Sequence, residues 1–220
     1  MKIVTLKGNI ELLSGLHIGG GDDTMKIGGI DNQVIKNINS KKPYIPGSSL
    51  KGKMRSLLEW NLGLVNLAKA DGGPFHSKLL NDPVFVDNSK KIDALNLLKL
   101  FGNGKTDDNF KEITRINIGD CQLIDEKLIT SEGKWENSIN RQKGTALSPR
   151  QTERVPAGVK FSFDIRVKIL EDDNEKELLN MVKKGFELIE SDYLGGNGSR
   201  GYGRVKFHLE DWLWNYIKQL

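Results

Sequence analysis

The chain has 220 residues, 37% hydrophobic and 28% charged, with a formal net charge of +4. That length fits one domain with insertions or two small ones, and the lack of any apolar run near the ~20 residues of a membrane span, or of a signal-peptide pattern, predicts a cytoplasmic protein. A single cysteine, Cys121, excludes an internal disulfide, and three scattered histidines leave no ligand set for a Cys/His zinc site.

Taken in chain order, "VTLKGNIEL" (4–12) alternates with Val4, Leu6, Ile10 and Leu12 on one face and polar residues on the other, a half-buried strand. A glycine-rich irregular stretch follows (14–32). "PGSSLKGKMRSLLEWNL" (46–62) reads as a helix with Ser48 as N-cap, an apolar stripe of Leu50, Met54, Leu57, Leu58 and Leu62, and Lys51 and Arg55 one turn apart. Residues 63–91 give no regular pattern. A short helix over 92–102 ends at Gly102, and 114–124 is a strand whose alternation changes parity at Gly119–Asp120, the mark of a bulge or kink. Residues 130–157 form a long polar, basic connection of the kind that is functional or disordered. "VKFSFDIRVKI" (159–169) is the cleanest strand, 174–193 a helix, and 204–209 the last strand, followed by an aromatic tail. The order strand, helix, strand, strand, helix, strand is the split βαβ pattern: an α+β, ferredoxin-like βαββαβ core with large insertions, its helices covering one sheet face.

Charge is spread unevenly. Residues 41–55 carry five cations and no acid, and 134–160 carry six cations against two acids. Conversely, 171–192 holds eight acids against three lysines and reads as a solvated face. The basic segments, accompanied by glycine, serine, threonine and asparagine, point to a polyanion partner. The outer sheet face carries Lys160, Ser162, Asp164, Arg166, Lys206 and His208 and no aromatic residue. Base stacking of the kind an RRM uses is therefore excluded, and any RNA must be held by loops and insertions.

"YLGGNGSRGYGRV" (193–205) contains five glycines and a G-x-G-x-x-G run. A dinucleotide loop follows a strand and opens a helix; here a helix precedes and a strand follows, so that reading fails. A P-loop fails as well, for want of the G-x-x-x-x-G-K-[ST] run. The plain alternative, a helix C-cap and turn, explains one or two glycines. Gly196, Gly198, Ser199, Arg200 and Gly201 instead suggest backbone N–H groups cradling phosphates beside cations, with Arg204 adding charge.

A glycine-rich loop before the last strand of such a domain resembles the RAMP superfamily of CRISPR proteins. "GLHIGGGDD", "IGGIDN", "PYIPGSSLKGKMRSLLE", "LKLFG" and "GGNGSRGYGRV", in that order, resemble the repeated backbone subunit of type III-A (Csm) interference complexes over nearly the whole chain. The resemblance implies one RAMP domain over 1–220, with a lid-like helical insertion at 63–110 and a thumb-like hairpin at 130–157. It implies copies stacked head-to-tail on a CRISPR RNA, beside a large polymerase-like subunit, a small helical subunit and guide-end capping subunits. The hairpin would displace a target base at regular intervals, with cutting beside each one. Cutting would depend on Mg²⁺ or another divalent cation and on Asp31, which would also hold that metal together with RNA phosphates.

From residues alone, Asp31 reads as an Asx-turn aspartate; the motif match makes it the general base or metal holder, ahead of Asp22 and Asp23. His17 would contact guide RNA, although its near-neutral pKa also suits a base and a packed loop histidine is a plain alternative. Ser48, Ser49, Lys51 and Arg55 would bind guide phosphates at the first helix's N-terminus, with a solvated cationic face as the alternative for Arg55 above all. Arg141, Lys143, Arg150 and Arg154 are the target-RNA contacts within the insertion. Two further readings stay open: a non-catalytic RNA-binding backbone, and a CRISPR-RNA processing endoribonuclease, which typically has two such domains and a histidine-centred site. Zinc ligands that some archaeal relatives carry in their insertions are absent here.

Overall fold

The computed structural model describes residues 1–20, 32–68, 72–86, 88–107, 110, 112–124 and 131–210. Asp22, Asp23, Asp31 and the aromatic tail after residue 210 lie outside the described residues. The central sheet is antiparallel and runs β2 (Ile116–Ile118), β6 (Lys160–Ile169), β1 (Lys2–Leu12), β7 (Val205–Leu209), with the short β3 (Gln122–Leu123) also on β6. On β6 the residues Phe161, Phe163, Ile165, Val167 and Ile169 are buried, and their neighbours are exposed or half-buried, so the alternation read from the sequence is the alternation of the sheet. Parity breaks between β2 and β3, as expected, where the Gly119 N–H donates to the Asp164 carbonyl.

The helices α1 (Gly47–Asn61) and α3 (Glu175–Ser191) lie against the buried sheet face. Leu50, Met54 and Leu58 of α1 and Leu178, Val182, Phe186 and Ile189 of α3 are buried there. Gly185 lets the two helices close up, because a Cβ there would stand 2.4 Å from Met54 Cγ. Phe163, Phe186 and Phe207 form one aromatic cluster, with ring centroids 4.6–5.9 Å apart. The 63–91 stretch contains two single-turn 3-10 helices, Ser77–Asn81 and Pro83–Val86. The helix α2 (Asn88–Phe101) follows and stops at Gly102, whose φ of +91° is left-handed. None of the described helices is long and apolar enough to cross a membrane.

Two expectations are corrected. Ser48 does not cap α1: Pro46 holds that position, and the first N–H, Gly47, donates to Asp120 Oδ1 at 2.8 Å. The strand break brings the cap from 73 residues away, and Gly47 fits because a Cβ would meet the Ile118 carbonyl oxygen at 2.2 Å. Nor is 171–192 merely a solvated acidic face. Asp173 is wholly buried against Arg115 and Lys99, Glu190 accepts from Lys206 and the Phe207 N–H, and Asp192 pairs with Lys53.

Candidate nucleic-acid interface

The segment 13–20, directly after β1, supports both the glycine-rich loop and the 130–157 connection. On one side it carries the glycine-rich loop. Leu13 and Ser14 donate their N–H groups to the Arg204 carbonyl, Gly203 donates to Gly15 O at 2.9 Å, and Gly196 donates to His17 O at 2.8 Å. Gly203 has φ +76° and no room for a side chain, since a Cβ would stand 2.0 Å from Leu194 O. Gly198 lies so flat on the Tyr193 ring that a Cβ would be 2.2 Å from it. Between them, Gly198–Arg200 form a single 3-10 turn entered from Asn197 in the left-handed region. Among the described residues, the Gly198 and Ser199 N–H groups at the start of this turn have no acceptor, while those of Gly196, Arg200 and Gly201 are used internally. An open groove of about 740 Å³ lies alongside, lined by Tyr193, Asn197, Gly198, Ser199, Arg200 and Arg204 among others.

On its other side, segment 13–20 carries the root of a two-stranded hairpin, β4 (Glu132–Ile139) and β5 (Ala146–Arg154). Leu16 pairs with Val155, and the His17 ring Nδ1 lies 2.7 Å from the Glu153 carbonyl. Asn32, the residue after Asp31, pairs with Thr152 and accepts from the Glu153 N–H. The Glu153 carboxylate accepts from the Val34 N–H and from Lys36. Burial pushes its pKa up, but Lys36 and the Val34 N–H outweigh that and hold it below the ordinary range. One buried acid therefore ties residues 32–36 to the hairpin root.

The hairpin projects its turn into solvent. Asn140 Oδ1 accepts from the Gln142 and Lys143 N–H groups, and Arg141 and Lys143 are exposed. Arg150 and Arg154 lie nearer the body: Arg150 is 3.5 Å from Glu136, and Arg154 pairs with Glu132 at 2.7 Å and stands over the Tyr202 ring. Glu136 is buried between the strands and the loop. Burial raises its pKa, and Tyr202, Arg200 and Lys134 together lower it by more, so it stays ionised.

The α1 cations divide. Arg55 donates to Glu59 at 2.7 Å and to the Phe75 carbonyl at 2.8 Å, and so ties α1 to the 63–91 stretch. Lys51 has no ion pair among the described residues, and burial, then Arg55, push its pKa down. Ser48 is exposed and Ser49 half-buried at the same end. The outer sheet face is occupied by ion pairs, Glu11 with Lys160 and Asp164 with Lys7 and Arg166, and His208 Nε2 lies 2.8 Å from the Glu11 carboxylate.

Sequence reasoning did not single out Glu136, Glu153 or Tyr202. Only the cross-strand register, in which Glu136 faces Arg150, would have exposed the first. Among the described residues no three acidic, histidine or cysteine side chains converge on a point able to hold a cation. Cys121 is not a reactive thiol: burial pushes it up to about 12.

The RAMP superfamily model matches residues 9–206. Two curated relatives named CRISPR system Cms endoribonuclease Csm3 are similar over most of their length. The protein from Enterococcus italicus is 37% identical, covering 94% of this chain and 90% of its own. That from Methanocaldococcus jannaschii is 41% identical, covering 93% and 78%. A chain in the cryo-EM structure of the Type III-B Cmr-beta bound to cognate target RNA superposes with a TM-score of 0.63 at 18% identity, over 95% of this chain and 60% of that one.

Proposed function

This chain belongs to the RAMP superfamily, and on that premise we propose that it is the guide-binding backbone subunit of a type III-A CRISPR complex and cuts target RNA complementary to the guide. The observation that carries the reading is the shared support: segment 13–20 holds the glycine-rich loop on one side and the hairpin root on the other, and Asp31 directly precedes Asn32, which pairs with that root. Guide phosphates would bind at the Gly198 and Ser199 N–H groups, at Arg200, and at Lys51 with Ser48 and Ser49. Arg55 contributes chiefly by fixing α1. His17, hydrogen-bonded to the hairpin root, would meet the guide where loop and hairpin join. The thumb role belongs to 130–157, whose exposed turn offers Arg141 and Lys143 to the target and whose root holds Arg150 and Arg154. The 63–110 insertion is the lid. Strand order β7-β1-β6-β2, with neighbours antiparallel, supports the ferredoxin-like reading of the core.

An A-form duplex keeps each 2′-OH out of line with the adjacent phosphorus. A base displaced by the hairpin frees its backbone to rotate, the 2′-oxygen attacks the phosphorus, and the 5′-oxygen of the next nucleotide leaves. Asp31 takes the proton from the 2′-OH in this reading. The described side chains do not form a cation site by themselves, so a divalent ion enters only as a partner of Asp31 and RNA phosphates, where it would offset developing charge.

Stacked copies head-to-tail, the polymerase-like, small helical and capping subunits, and a cytoplasmic location complete the proposal. The test is a complex reconstituted with guide RNA and companion subunits, given complementary RNA with Mg²⁺ or with EDTA. Wild type is expected to yield regularly spaced cuts with Mg²⁺ only, and Asp31→Ala to bind target without cutting. Cuts that persist in Asp31→Ala remove Asp31 as the catalyst, and failure to bind guide removes the reading as a whole.

A further inference from the structure

The hairpin and the glycine-rich loop also meet through a carboxylate, Glu136, to which the guide contacts and the chemistry proposed above assign no role. The Glu136 side chain is only 9% exposed, and three cations from different segments surround it. Arg150 of the facing strand and Arg200 of the loop are each 3.5 Å away, and Lys134 of its own strand is 3.8 Å away. Among the described residues, the carboxylate oxygens and the Tyr202 hydroxyl are buried without a partner at good hydrogen-bond geometry, although Tyr202 stands close enough to the carboxylate to lower its pKa. Buried polar atoms with poorly formed hydrogen bonds call for a further partner or an adjustable arrangement. The three cations also leave an excess of positive charge that a further anion would relieve.

Arg200 is placed to receive that anion. Its side chain is 47% exposed, lines the open groove, and already donates to Asn197 at 2.7 Å. A guanidinium has five N–H donors in a rigid fork, so one edge can face Glu136 while another takes a phosphate from the groove. Glu136 lies partway along the hairpin, between the root, held by Leu16 and Asn32, and the exposed turn at 140–145. Beyond Glu136 the residues of both strands are exposed. The outer half of the hairpin is thus steadied against the body at Glu136.

We propose that Glu136 is a positioning residue that links guide phosphate bound at Arg200 to the orientation of the hairpin, and so couples guide loading to target cutting. This rests on the function proposed above. A phosphate on the outer edge of Arg200 fixes the guanidinium, and the fixed guanidinium holds Glu136 and the strand that carries it.

The test is hydrogen exchange of the 132–154 amides in the full chain with and without guide RNA, alongside guide affinity. In wild type, guide is expected to slow exchange in the hairpin by about tenfold. In Glu136→Gln that slowing should shrink to about twofold or less with guide affinity within about twofold, because the contact between loop and hairpin is lost. Glu136→Asp keeps the charge and retracts it by one methylene, and should behave the same way should the glutamine variant fold poorly. Arg150→Gln, which touches Glu136 but not the loop, should keep the guide-dependent slowing. A merely structural Glu136 would raise exchange equally with and without guide. In the reconstituted complex, Glu136→Gln should cut bound target about tenfold more slowly, because the hairpin is poorly oriented. Equal guide-dependent slowing in wild type and both Glu136 variants overturns the inference and leaves the function standing. A wild-type chain that binds no guide overturns both, and the affinity measurement tells the two failures apart.

Discussion

Asp173→Ala should lower the stability of this chain more than almost any substitution away from the apolar core. The Asp173 side chain is fully buried and accepts from Arg115 Nε at 2.9 Å, Arg115 Nη2 at 3.2 Å, Lys99 Nζ at 3.1 Å and the Leu170 N–H at 2.9 Å. Arg115 is itself only 3% exposed. Removing the carboxylate leaves that guanidinium with Glu112 at 2.6 Å and the Ile113 carbonyl as its partners. Breaking one side of a buried ion pair costs about 3–5 kcal/mol. For a chain of this size that corresponds to a fall in Tm of roughly 6–20 °C. The loss reaches beyond the pair, because the Arg115 backbone accepts from Lys168 of β6 and donates to Lys99 of α2, so sheet edge, α2 and the turn before α3 loosen together.

The same site predicts a pH dependence. Burial raises the Asp173 pKa, but the Arg115 and Leu170 hydrogen bonds outweigh it and bring it from 3.8 to about 2. A carboxyl depressed on folding contributes stability that is fully present above its unfolded value and lost as pH falls through its folded value. The contribution, about 2 kcal/mol, therefore disappears between pH 3.8 and about 2. Urea unfolding followed by circular dichroism at several pH values measures both effects. The reasoning is refuted by an Asp173→Ala variant within about 1 kcal/mol of wild type at neutral pH. It is equally refuted if wild type and variant lose stability in parallel through the acid window.

Gly203→Ala should release the glycine-rich loop from segment 13–20: the left-handed backbone costs about 1–2 kcal/mol and the new Cβ would stand 2.0 Å from Leu194 O. Guide RNA co-purifying with the complex should fall at least about tenfold, and undiminished guide in a folded variant would show that the loop does not hold it. Lys51→Ala should weaken guide binding at every sequence alike and flatten its salt dependence by about one unit of slope, while Arg55→Ala should leave that slope unchanged but destabilise the fold by about 1–3 kcal/mol, since Glu59 is then buried without its cation, with only the Phe75 N–H donating to it among the described residues. Equal salt slopes for the two variants would remove the distinction between them.

How far the sequence could be read depended on where each segment finds its partners. The strand 160–169 and helix 47–61 bury apolar side chains on one face, so their period carries their identity, and the glycine at 119 marked the strand break correctly. The hairpin has no such period, because it covers no apolar core and most of its residues face solvent; only the family resemblance named it. The acids of 171–192 were misread for a related reason. Asp173 is 58 residues from Arg115, and Glu190 is 17 from Phe207, so nothing local distinguishes a buried acid from a solvated one. Ser48 lost the cap of α1 to Asp120 across a still longer gap.

The glycine-rich loop shows why composition alone overstated its case for ligand binding. Five glycines are more than a turn needs, and the surplus points by composition to an approaching RNA backbone. The fold itself requires most of them: Gly195 and Gly203 are left-handed and press on the His17 and Leu194 carbonyls, and Gly198 lies against Tyr193. Of the N–H groups expected to cradle phosphate, that of Gly196 holds the loop on segment 13–20, and those of Arg200 and Gly201 close the loop's own turn. What remains for a ligand is narrower and more specific: the free N–H groups of Gly198 and Ser199, the exposed fork of Arg200, and the groove beside them. A loop tied down by its own backbone has already lost the entropy that a flexible glycine tract would lose on binding, so its few free donors present a prearranged geometry to a phosphate. The same bonds fix the loop's distance from the hairpin root, because both are anchored to the same eight residues. The glycines of this loop thus act first as joints to segment 13–20, and the donors open to a phosphate are the ones the joints leave over.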